Sequence, residues 1–331
     1  MKKLNSKKTN DKKGKYYDLI ILGAGGSGLA AGMYAARLGL KTLILGHSHG
    51  SEESIGGVIT TTNIVENYPG FIKLTGLEIA KKLEEHARSY SLVEIKQKLA
   101  LKVEKHKNCF IVKTSDEDFI GKTILFATGT KWRKLPDNIK GSKEFENKGI
   151  SYCALCDAPL YKNKIVAVIG GSDSAAKEAL VLAEHARKVY IIYRGKEIHP
   201  EPINYERIKN NKKIEVINNT NIIEIKGNKF VEKVILDKPY KNFKELKLDG
   251  IFVAIGHIVL SDLAKSLGVN INEKNEIIIN HKTSETNLPG VYAAGDVTDK
   301  PFKQLITGVA EAVTAAYSAF EYISKSKVET C

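Results

Sequence analysis

A short apolar segment, Asp18–Leu22, runs directly into a glycine-rich turn, and this junction constrains the fold more than any other feature of the chain. The turn reads Gly23-Ala24-Gly25-Gly26-Ser27-Gly28, and a helical pattern follows from 29 to 38. A strand, the spacing GxGxxG and a helix together bind a dinucleotide at the helix N-terminus. Gly23 allows the tight turn, Gly25 lets the backbone approach a pyrophosphate, and Gly28 lets the helix pack on the strand. The junction therefore predicts a Rossmann-like nucleotide site.

A second junction of the same kind follows in the middle of the chain. The apolar segment Ile165–Ile169 leads into Gly170-Gly171-Ser172-Asp173-Ser174-Ala175, then into a helix to about 186 and a strand over 188–193. Ser172 stands where the middle glycine should let a pyrophosphate approach, so the spacing is degraded. The repeat predicts a second nucleotide domain with a weakened site for NADPH or NADH. Its expected contacts are Gly170, Ser172, Ala175 and Arg194.

Two strands that end in glycine-containing segments bracket the second junction. The strand over 123–126 ends in Ala127-Thr128-Gly129-Thr130, and the strand over 250–253 ends in Ala254-Ile255-Gly256-His257. Such exits are typical of a chain that leaves one domain and later returns to it. The sequence thus predicts an α/β protein with two Rossmann-like, three-layer nucleotide-binding domains, the second inserted into the first. The expected bounds are 16–126 with 253–325 for the outer domain and 127–252 for the inserted one.

The segment from Ser151 to Pro159 carries two cysteines three positions apart. Cys153 and Cys156 at this spacing can form a bridge, and a helix N-terminus lowers thiol pKa. One thiol can then attack a disulfide while the other resolves the mixed disulfide, with Asp157 to donate or accept the proton. Half of a zinc site and an inert buried pair compete with this interpretation, but no second CxxC is present. Of the two remaining cysteines, Cys109 is predicted to be a core or edge residue and Cys331 has no assigned role.

The charge and hydropathy of the chain exclude several classes of partner. The net charge is +13, yet only six of the 51 basic residues are Arg, and no cluster interleaves them with aromatics as nucleic-acid surfaces require. Much of the excess lies in residues 1–15, a Lys-rich tail expected to be disordered. No apolar run is long enough to span a membrane or resembles a signal peptide. We therefore expect a cytoplasmic protein with no nucleic-acid, membrane or metal partner.

Several motifs, taken in order, resemble the thioredoxin reductase family of flavoproteins, in its small type. They are the first glycine turn, the Gly56-Gly57 loop, Val65-Glu66-Asn67-Tyr68-Pro69-Gly70, Ala127-Thr128-Gly129, the cysteine segment, and Ala294-Gly295-Asp296-Val297 followed by Gln304. The resemblance extends from about residue 17 to 322. It implies FAD in the split outer domain, a redox-active CxxC on the inserted domain, and a homodimer. The implied FAD contacts are Gly23, Gly25, Gly28, Gly46, Gly56, Gly57, Val58, Asn67, Thr128, Gly129, Gly295, Asp296, Gln304 and Leu305.

The resemblance also assigns roles within the reaction centre. Cys156 resembles the sulfur that faces the flavin, Cys153 resembles the nucleophile that attacks the partner's disulfide, and Asp157 resembles their acid–base residue. The implied activity is FAD-dependent reduction of a thioredoxin- or glutaredoxin-like protein, with electrons from NADPH or NADH. The segments 127–130 and 254–257 fit a hinge between two domain orientations.

The chain departs from the family pattern at both nucleotide units. The acid that often follows the second strand is replaced by Gly46-His47 in the first unit. Where NADPH-using members carry His-Arg-Arg and a further Arg, this chain has Tyr193-Arg194-Gly195 and then His199. Two lost guanidinium contacts, at about 1.5–3 kcal/mol each, would weaken NADPH binding several hundredfold or more. Open alternatives are a ferredoxin or deazaflavin donor, a peroxiredoxin-type acceptor, and a flavin-binding redox sensor or pseudoenzyme.

Overall fold

The computed structural model describes residues 15–48 and 53–325 of the chain. Within them the chain forms two compact units, one of residues 15–47, 83–128 and 261–325 and another of residues 48, 53–82 and 129–260. The division points Thr128/Gly129 and Leu260/Ser261 lie near the predicted strand exits. The predicted domain bounds stay a prediction, because the segment 53–82 clusters with the second unit. Nearly all of the predicted Lys-rich tail, and Cys331, lie outside the described residues.

The helices and strands follow the predicted order, with β-structure around each nucleotide unit. The strands are β1 (Lys15–Leu22), β2 (Thr42–Gly46), β3 (Val93–Gln97), β4 (Lys102–His106), β5 (Cys109–Lys113), β6 (Asp118–Phe126), β7 (Thr130–Trp132), β8 (Ile150–Ser151), β9 (Ile165–Ile169), β10 (Lys188–Ile192), β11 (Ile214–Ile217), β12 (Ile222–Gly227), β13 (Val231–Tyr240), β14 (Phe243–Lys247), β15 (Gly250–Val253), β16 (His257–Val259) and β17 (Val291–Ala293). The helices are α1 (Gly26–Arg37), α2 (Gly76–Arg88), α3 (Ala154–Asp157), α4 (Asp173–His185), α5 (Pro202–Lys209), α6 (Asp262–Leu267) and α7 (Leu305–Lys325), with short 3₁₀ helices at Val58–Thr61 and Ala158–Tyr161.

A largely parallel sheet forms the centre of the first unit. In the described residues its strands lie in the order β3-β2-β1-β6-β5-β4, with β17 also paired to β6. Strands β1, β2, β3, β6 and β17 are parallel, and β4 and β5 run antiparallel at the far side. Leu22 is level with Leu45 and Phe126, and Phe126 is level with Ala293. The segments that follow these strands therefore emerge along one edge of the sheet, where nucleotides bind in such folds.

The second unit repeats this plan around the parallel sheet β11-β10-β9-β15-β8. Val166 and Val168 of β9 pack on the helix side with α4 and α5, whereas Ala167 packs on the other side. That other side is covered by the antiparallel strands β12, β13 and β14 rather than by helices. The α/β class and the Rossmann-like character are confirmed, and one outer layer of the second unit is a β-sheet.

The two predicted crossing segments run side by side. Strand β7 pairs antiparallel with β16, and the N–H of Leu260 donates to the carbonyl of Gly129 at 3.0 Å. Gly129 and Gly256 have φ of +63° and +96°, a left-handed conformation that glycine adopts at little cost. The pairing fits the predicted hinge, although the motion itself stays a prediction.

Candidate functional site

The first glycine turn is built so tightly that only glycine fits at its ends. Gly23 has φ of +116°, and a Cβ added there would lie 2.1 Å from the carbonyl oxygen of Ala127. A Cβ on Gly28 would lie 1.9 Å from the carbonyl oxygen of Gly23. The N–H of Gly23 donates to the carbonyl of Leu45 at 2.8 Å, which brings the turn beside Gly46 at the end of β2. The turn thus joins the ends of β1, β2 and β6.

The N-terminus of α1 presents backbone donors and no negative charge at this turn. Gly25 is the N-cap residue, it provides no side-chain cap, and the first turn contains no acidic residue. A helix end of this kind attracts an anionic group, because its first N–H groups and the helix dipole both favour negative charge. Leu305, at the start of α7, packs on Gly26, where an added Cβ would lie 2.3 Å from its Cδ1.

The Gly295-Asp296 turn after β17 lies against the same helix. A Cβ on Gly295 would lie 2.6 Å from Oγ of Ser27, and one on Gly308 would lie 2.7 Å from the same oxygen. Ser27 of α1 therefore sits between the turn and α7, which begins directly after Gln304. Burial raises the pKa of the half-buried Asp296 carboxyl, with the positive charge of Lys303 opposing this shift and the Glu311 carboxylate adding to it.

Glu311 of α7 fixes this turn, although the sequence did not point to it. Its Oε2 accepts from the N–H of Gly295 at 2.8 Å and from Oγ1 of Thr298 at 3.0 Å, and its Oε1 lies 3.1 Å from Nζ of Lys300. The residue is only 7% exposed. The signal in the sequence is an acid among the small apolar residues of α7.

The first unit therefore assembles a surface that fits the pyrophosphate end of FAD. An uncapped helix N-terminus, glycine turns without side chains and the Asp296 turn meet at one sheet edge, beside Thr128. The predicted contacts that the first unit brings together are Gly23, Gly25, Gly28, Gly46, Thr128, Gly295, Asp296, Gln304 and Leu305.

The remaining predicted FAD contacts belong to the second unit. Gly56 and Gly57, with φ of +111° and +69°, form a turn that enters the 3₁₀ helix beginning at Val58. Asn67 follows in an irregular segment, and Gly129 precedes β7. The contacts of Gly56, Gly57, Val58, Asn67 and Gly129 with FAD stay predictions.

The two cysteines of the CxxC motif form a disulfide at the start of α3. The Cα atoms of Cys153 and Cys156 are 5.4 Å apart, and the N–H of Cys156 donates to Sγ of Cys153 at 3.2 Å. Cys153 is the N-cap residue of α3, so a helix N–H group already points at its sulfur. Such a donor stabilises a thiolate there when the pair is reduced. Cys153 is only 4% exposed, whereas Cys156 is exposed.

Asp157 is tied to the cysteine pair through Ser151. The Ser151 hydroxyl donates to Oδ2 of Asp157 at 2.6 Å, and its oxygen accepts from the N–H of Cys153 at 3.2 Å. The N–H of Asp157 also donates to the carbonyl of Cys153 at 3.2 Å. A carboxylate, a hydroxyl and two sulfurs are thus gathered within one short segment. The sequence identified the acid and the cysteines but gave Ser151 no role.

The second glycine turn has the same backbone plan as the first. Gly170 has φ of +147°, and a Cβ added there would lie 2.2 Å from the carbonyl oxygen of Ala254. Ser172 is the N-cap of α4 and makes no side-chain cap, Asp173 places an acid in the first turn, and Ala175 is buried against Gly170. The exposed Arg194 is the second residue after the end of β10.

The space over the second turn is filled by the ring of Tyr193. A Cβ on Gly171 would lie 2.5 Å from Cγ and Cδ2 of Tyr193, and one on Gly195 would lie 2.4 Å from its Cε1. The ring therefore rests on the bare backbone of both glycines. In this fold the adenosine end of a dinucleotide lies between the glycine turn and the end of the second strand. As arranged, the residues Gly170, Ser172, Ala175 and Arg194 do not fit a nicotinamide nucleotide.

Two features of the described residues concern metal ions and membranes. Among the described residues, no group of three or more His, Cys, Asp or Glu is arranged to hold a metal ion. Within residues 15–48 and 53–325, no helix combines the length and apolar character needed to cross a membrane.

Cys109 is fully buried on β5, as predicted, and carries no free thiol.

Comparisons with known proteins give a consistent result. The family model described as pyridine nucleotide-disulphide oxidoreductase matches residues 17–319. A thioredoxin reductase of Ureaplasma parvum is 38% identical over 94% of this chain and 98% of its own length. A 34.2 kDa protein in the rubredoxin operon of Clostridium pasteurianum is 37% identical over 94% and 99%. The crystal structure of Lactococcus lactis thioredoxin reductase matches with a TM-score of 0.86 and 34% identity over 93% of this chain and 99% of that one.

These matches confirm the predicted resemblance to small thioredoxin reductases. The family implies FAD and a nicotinamide nucleotide as cofactors. The first glycine turn fits the FAD, while the second, as arranged, does not fit the nicotinamide nucleotide. With a family model over most of its length and close relatives over nearly all of it, the chain belongs to the pyridine nucleotide-disulphide oxidoreductases.

Proposed function

We propose that this chain is an FAD-dependent disulfide reductase that reduces a thioredoxin- or glutaredoxin-like protein through Cys153 and Cys156. The observation that carries the proposal is the cysteine segment, in which a disulfide, a carboxylate and a hydroxyl share one hydrogen-bonded cluster. The first glycine turn and the Asp296 turn would hold FAD, which would supply a two-electron carrier when bound. A homodimer and a cytoplasmic location belong to the proposal on the strength of the resemblance and the cysteine usage.

The residues of the chain handle the sulfur exchange and its protons. In the reduced pair one thiolate attacks the partner's disulfide, forming a mixed disulfide and releasing a partner thiolate. The second cysteine then attacks the mixed disulfide, which restores the Cys153–Cys156 bond and releases the partner as a dithiol. Asp157, hydrogen-bonded to Ser151 within the same segment, is placed to supply the proton that the leaving thiolate needs.

Trapped mixed disulfides show which of the two cysteines attacks the partner and which resolves the intermediate. Replacing Cys156 by Ser should leave Cys153 able to attack but unable to be released, so a mixed disulfide with thioredoxin accumulates. Replacing Cys153 by Ser should trap none. A trap at Cys156 instead would reverse the assigned roles, and the exposure of Cys156 gives that outcome a structural basis.

The proposed activity is tested with a reductant that bypasses the natural donor. FAD-loaded protein is reduced by light or dithionite, freed of excess reductant, and mixed with oxidised thioredoxin, and the thiols released are titrated. Cys153→Ser should lower thiol release at least a hundredfold while the protein stays yellow. Cys156→Ser, also yellow, should stop at the mixed disulfide, with at most one partner thiol released per protein and no dithiol product. Ser115→Ala, at an exposed position outside the cysteine segment, serves as the control and should retain activity. Equal release from all variants would contradict the proposal and favour a flavin-binding sensor.

A second candidate keeps the disulfide reductase but replaces the nicotinamide donor by a carrier such as a ferredoxin or a deazaflavin. The Tyr193 ring favours it, because the ring lies on Gly171 and Gly195, between the glycine turn and the end of the second strand, where the adenosine end of a dinucleotide binds in this fold. The thiol-release assay gives the same result for both candidates, since it does not use the natural donor.

A further inference from the structure

We propose that Tyr193 closes the second nucleotide site. Its ring packs on Gly171 and Gly195 and so occupies the place of an adenine dinucleotide. The inference deepens the proposed function and rests on it only for its biological meaning, because its test measures binding. It is carried by the position of one ring and by the backbone contacts that hold this ring in place.

The Tyr193 ring packs directly on the backbone of two glycines. Neither Gly171 nor Gly195 tolerates a Cβ, because such an atom would come within 2.5 Å and 2.4 Å of ring carbons of Tyr193. Any other residue at either position would push the ring away, since real Cβ atoms do not approach that closely. Gly171 and Gly195 are therefore explained by the tyrosine, and neither requires a bound pyrophosphate.

The backbone of Tyr193 is fixed on both sides, so the ring can leave only by rotating its side chain. Its N–H donates to the carbonyl of Ile217 at 2.9 Å, and its carbonyl accepts from the N–H of Thr220 at 3.1 Å. The N–H of Asn219 donates to the carbonyl of Gly195 at 2.8 Å. These bonds hold the end of β10 and the following turn in one position.

The segment after Tyr193, residues 194–199, is hydrogen-bonded to the second glycine turn. The N–H of His199 donates to the carbonyl of Gly171 at 2.7 Å, and Nδ1 of His199 lies 3.4 Å from the Tyr193 hydroxyl. The chain from 193 to 199 therefore begins and ends on Gly171. A nucleotide that needs this turn must displace the ring and compete with the backbone bond of His199.

The helix end beneath the ring is also unfavourable for a diphosphate. Asp173 lies in the first turn of α4, where its Oδ1 accepts from the N–H of Glu201 at 2.9 Å and from Nδ2 of Asn204 at 2.8 Å. Burial opposes its ionisation, but these bonds and the bond from Lys177 lower its pKa. The carboxylate is thus ionised at neutral pH and pairs with Nζ of Lys177 at 2.8 Å. An ionised acid in the first turn of a helix competes with a phosphate group for the positive end of that helix.

Equilibrium binding of oxidised nucleotides tests the proposal without any electron transfer. The FAD-loaded protein is titrated with NADP⁺ and NAD⁺ by calorimetry, using wild type, Tyr193→Ala, Tyr193→Phe and, as a matched control, Tyr317→Ala. We expect the wild type to bind neither nucleotide at concentrations up to about 1 mM, which corresponds to a dissociation constant above about 1 mM. Tyr193→Ala should bind at least tenfold tighter, whereas Tyr193→Phe, which keeps the ring, and Tyr317→Ala should behave as wild type.

The design leaves each outcome informative. Micromolar binding by the wild-type protein would overturn the proposal whatever the variants do. If Tyr193→Ala gains nothing, the double variant Tyr193→Ala with Asp173→Asn removes the remaining charge, and no gain there would also overturn it. Equal gains in the Ala and Phe variants would show that the hydroxyl, and not the ring, is responsible. Failure of the binding prediction leaves the thiol-release assay unaffected, so the two proposals can fail separately.

Discussion

The two glycine turns of this protein share a backbone and differ in what lies above it. Each follows a parallel strand and opens a helix, and each begins with a glycine pressed against a neighbouring carbonyl, Gly23 on Ala127 and Gly170 on Ala254. Over the first turn the helix end carries neither a side-chain cap nor an acid. Over the second lies the Tyr193 ring, and the first turn of its helix contains the Asp173 carboxylate.

The contrast indicates that packing can maintain the strand–turn–helix plan in both units. The close contacts of Gly23 and Gly170 join neighbouring strand ends and would be needed in either unit without a nucleotide. Binding requires in addition an open face and a favourable charge at the helix end. The side chains at two or three positions therefore decide whether a Rossmann-like turn holds a nucleotide.

The largest effect is expected from Gly23→Ala in the first turn. The new Cβ would meet the Ala127 carbonyl at 2.1 Å in a backbone conformation that disfavours alanine, so the turn must deform. We expect FAD affinity to fall at least a hundredfold and the protein to purify colourless. Gly39→Ala is the matched control, because Gly39 has φ of +82° but open space around an added Cβ. If Gly39→Ala lost FAD equally, backbone strain and not the collision would explain the effect.

The helices behind the two turns also differ, since α4 carries a buried acid. One carboxylate oxygen of Glu178 is fully covered and has no hydrogen-bond partner in the described part of the chain, while the rest of the residue keeps some exposure. Burial raises its pKa from 4.5 to about 8. The folded state therefore keeps a proton that the unfolded state loses above pH 4.5.

The sign of the resulting pH dependence is fixed by this difference. The contribution of Glu178 to stability is fully present below pH 4.5, declines as pH rises through about 8, and is then constant. Glu178→Gln should remove that decline and raise stability at pH 8 by a few kcal/mol, at about 1.36 kcal/mol per unit of pKa shift. Chemical denaturation between pH 5 and pH 9 measures it. The exposed Glu184 on the same helix provides the control Glu184→Gln, and an unchanged pH slope in Glu178→Gln would contradict the assignment.

A smaller effect is expected from Glu311→Gln, which weakens the hydrogen bonds that hold the Gly295-Asp296 turn beside the first glycine turn. The Gly295 N–H and the Thr298 hydroxyl would keep an acceptor but lose its charge, and charged hydrogen bonds are worth about 1.5–3 kcal/mol. We expect FAD to bind roughly tenfold more weakly, measured as a dissociation constant on protein stripped of flavin. Glu321→Gln, at an ion pair of α7 with Lys325, is the control. A fall in melting temperature without a change in FAD affinity would limit Glu311 to a structural role.

The sequence predicted those features that depend on neighbours along the chain. The strand–turn–helix units, the CxxC pair and the crossing segments all follow from short patterns of glycine, cysteine and apolar residues. The sequence also identified the second turn as degraded, because Ser172 and the missing arginines are differences in residue type.

The side chains that complete the sites come from distant parts of the chain, and spacing does not show where they point. Tyr193 lies 22 positions beyond Gly171, and Glu311 lies 16 positions beyond Gly295. Neither direction follows from residue type alone. The β12–β14 layer was missed for a related reason, since its strands pack on the sheet through contacts that span many residues.

Anaerobic reduction of the flavin tests the difference between the two turns most directly. The yellow, FAD-loaded protein is mixed separately with dithionite, NADPH and NADH, and the flavin absorbance is followed. We expect dithionite to bleach the flavin and neither nicotinamide to do so, because the first turn holds FAD while Tyr193 closes the second. Rapid bleaching by NADPH or NADH would show that the ring gives way and that both turns bind nucleotides.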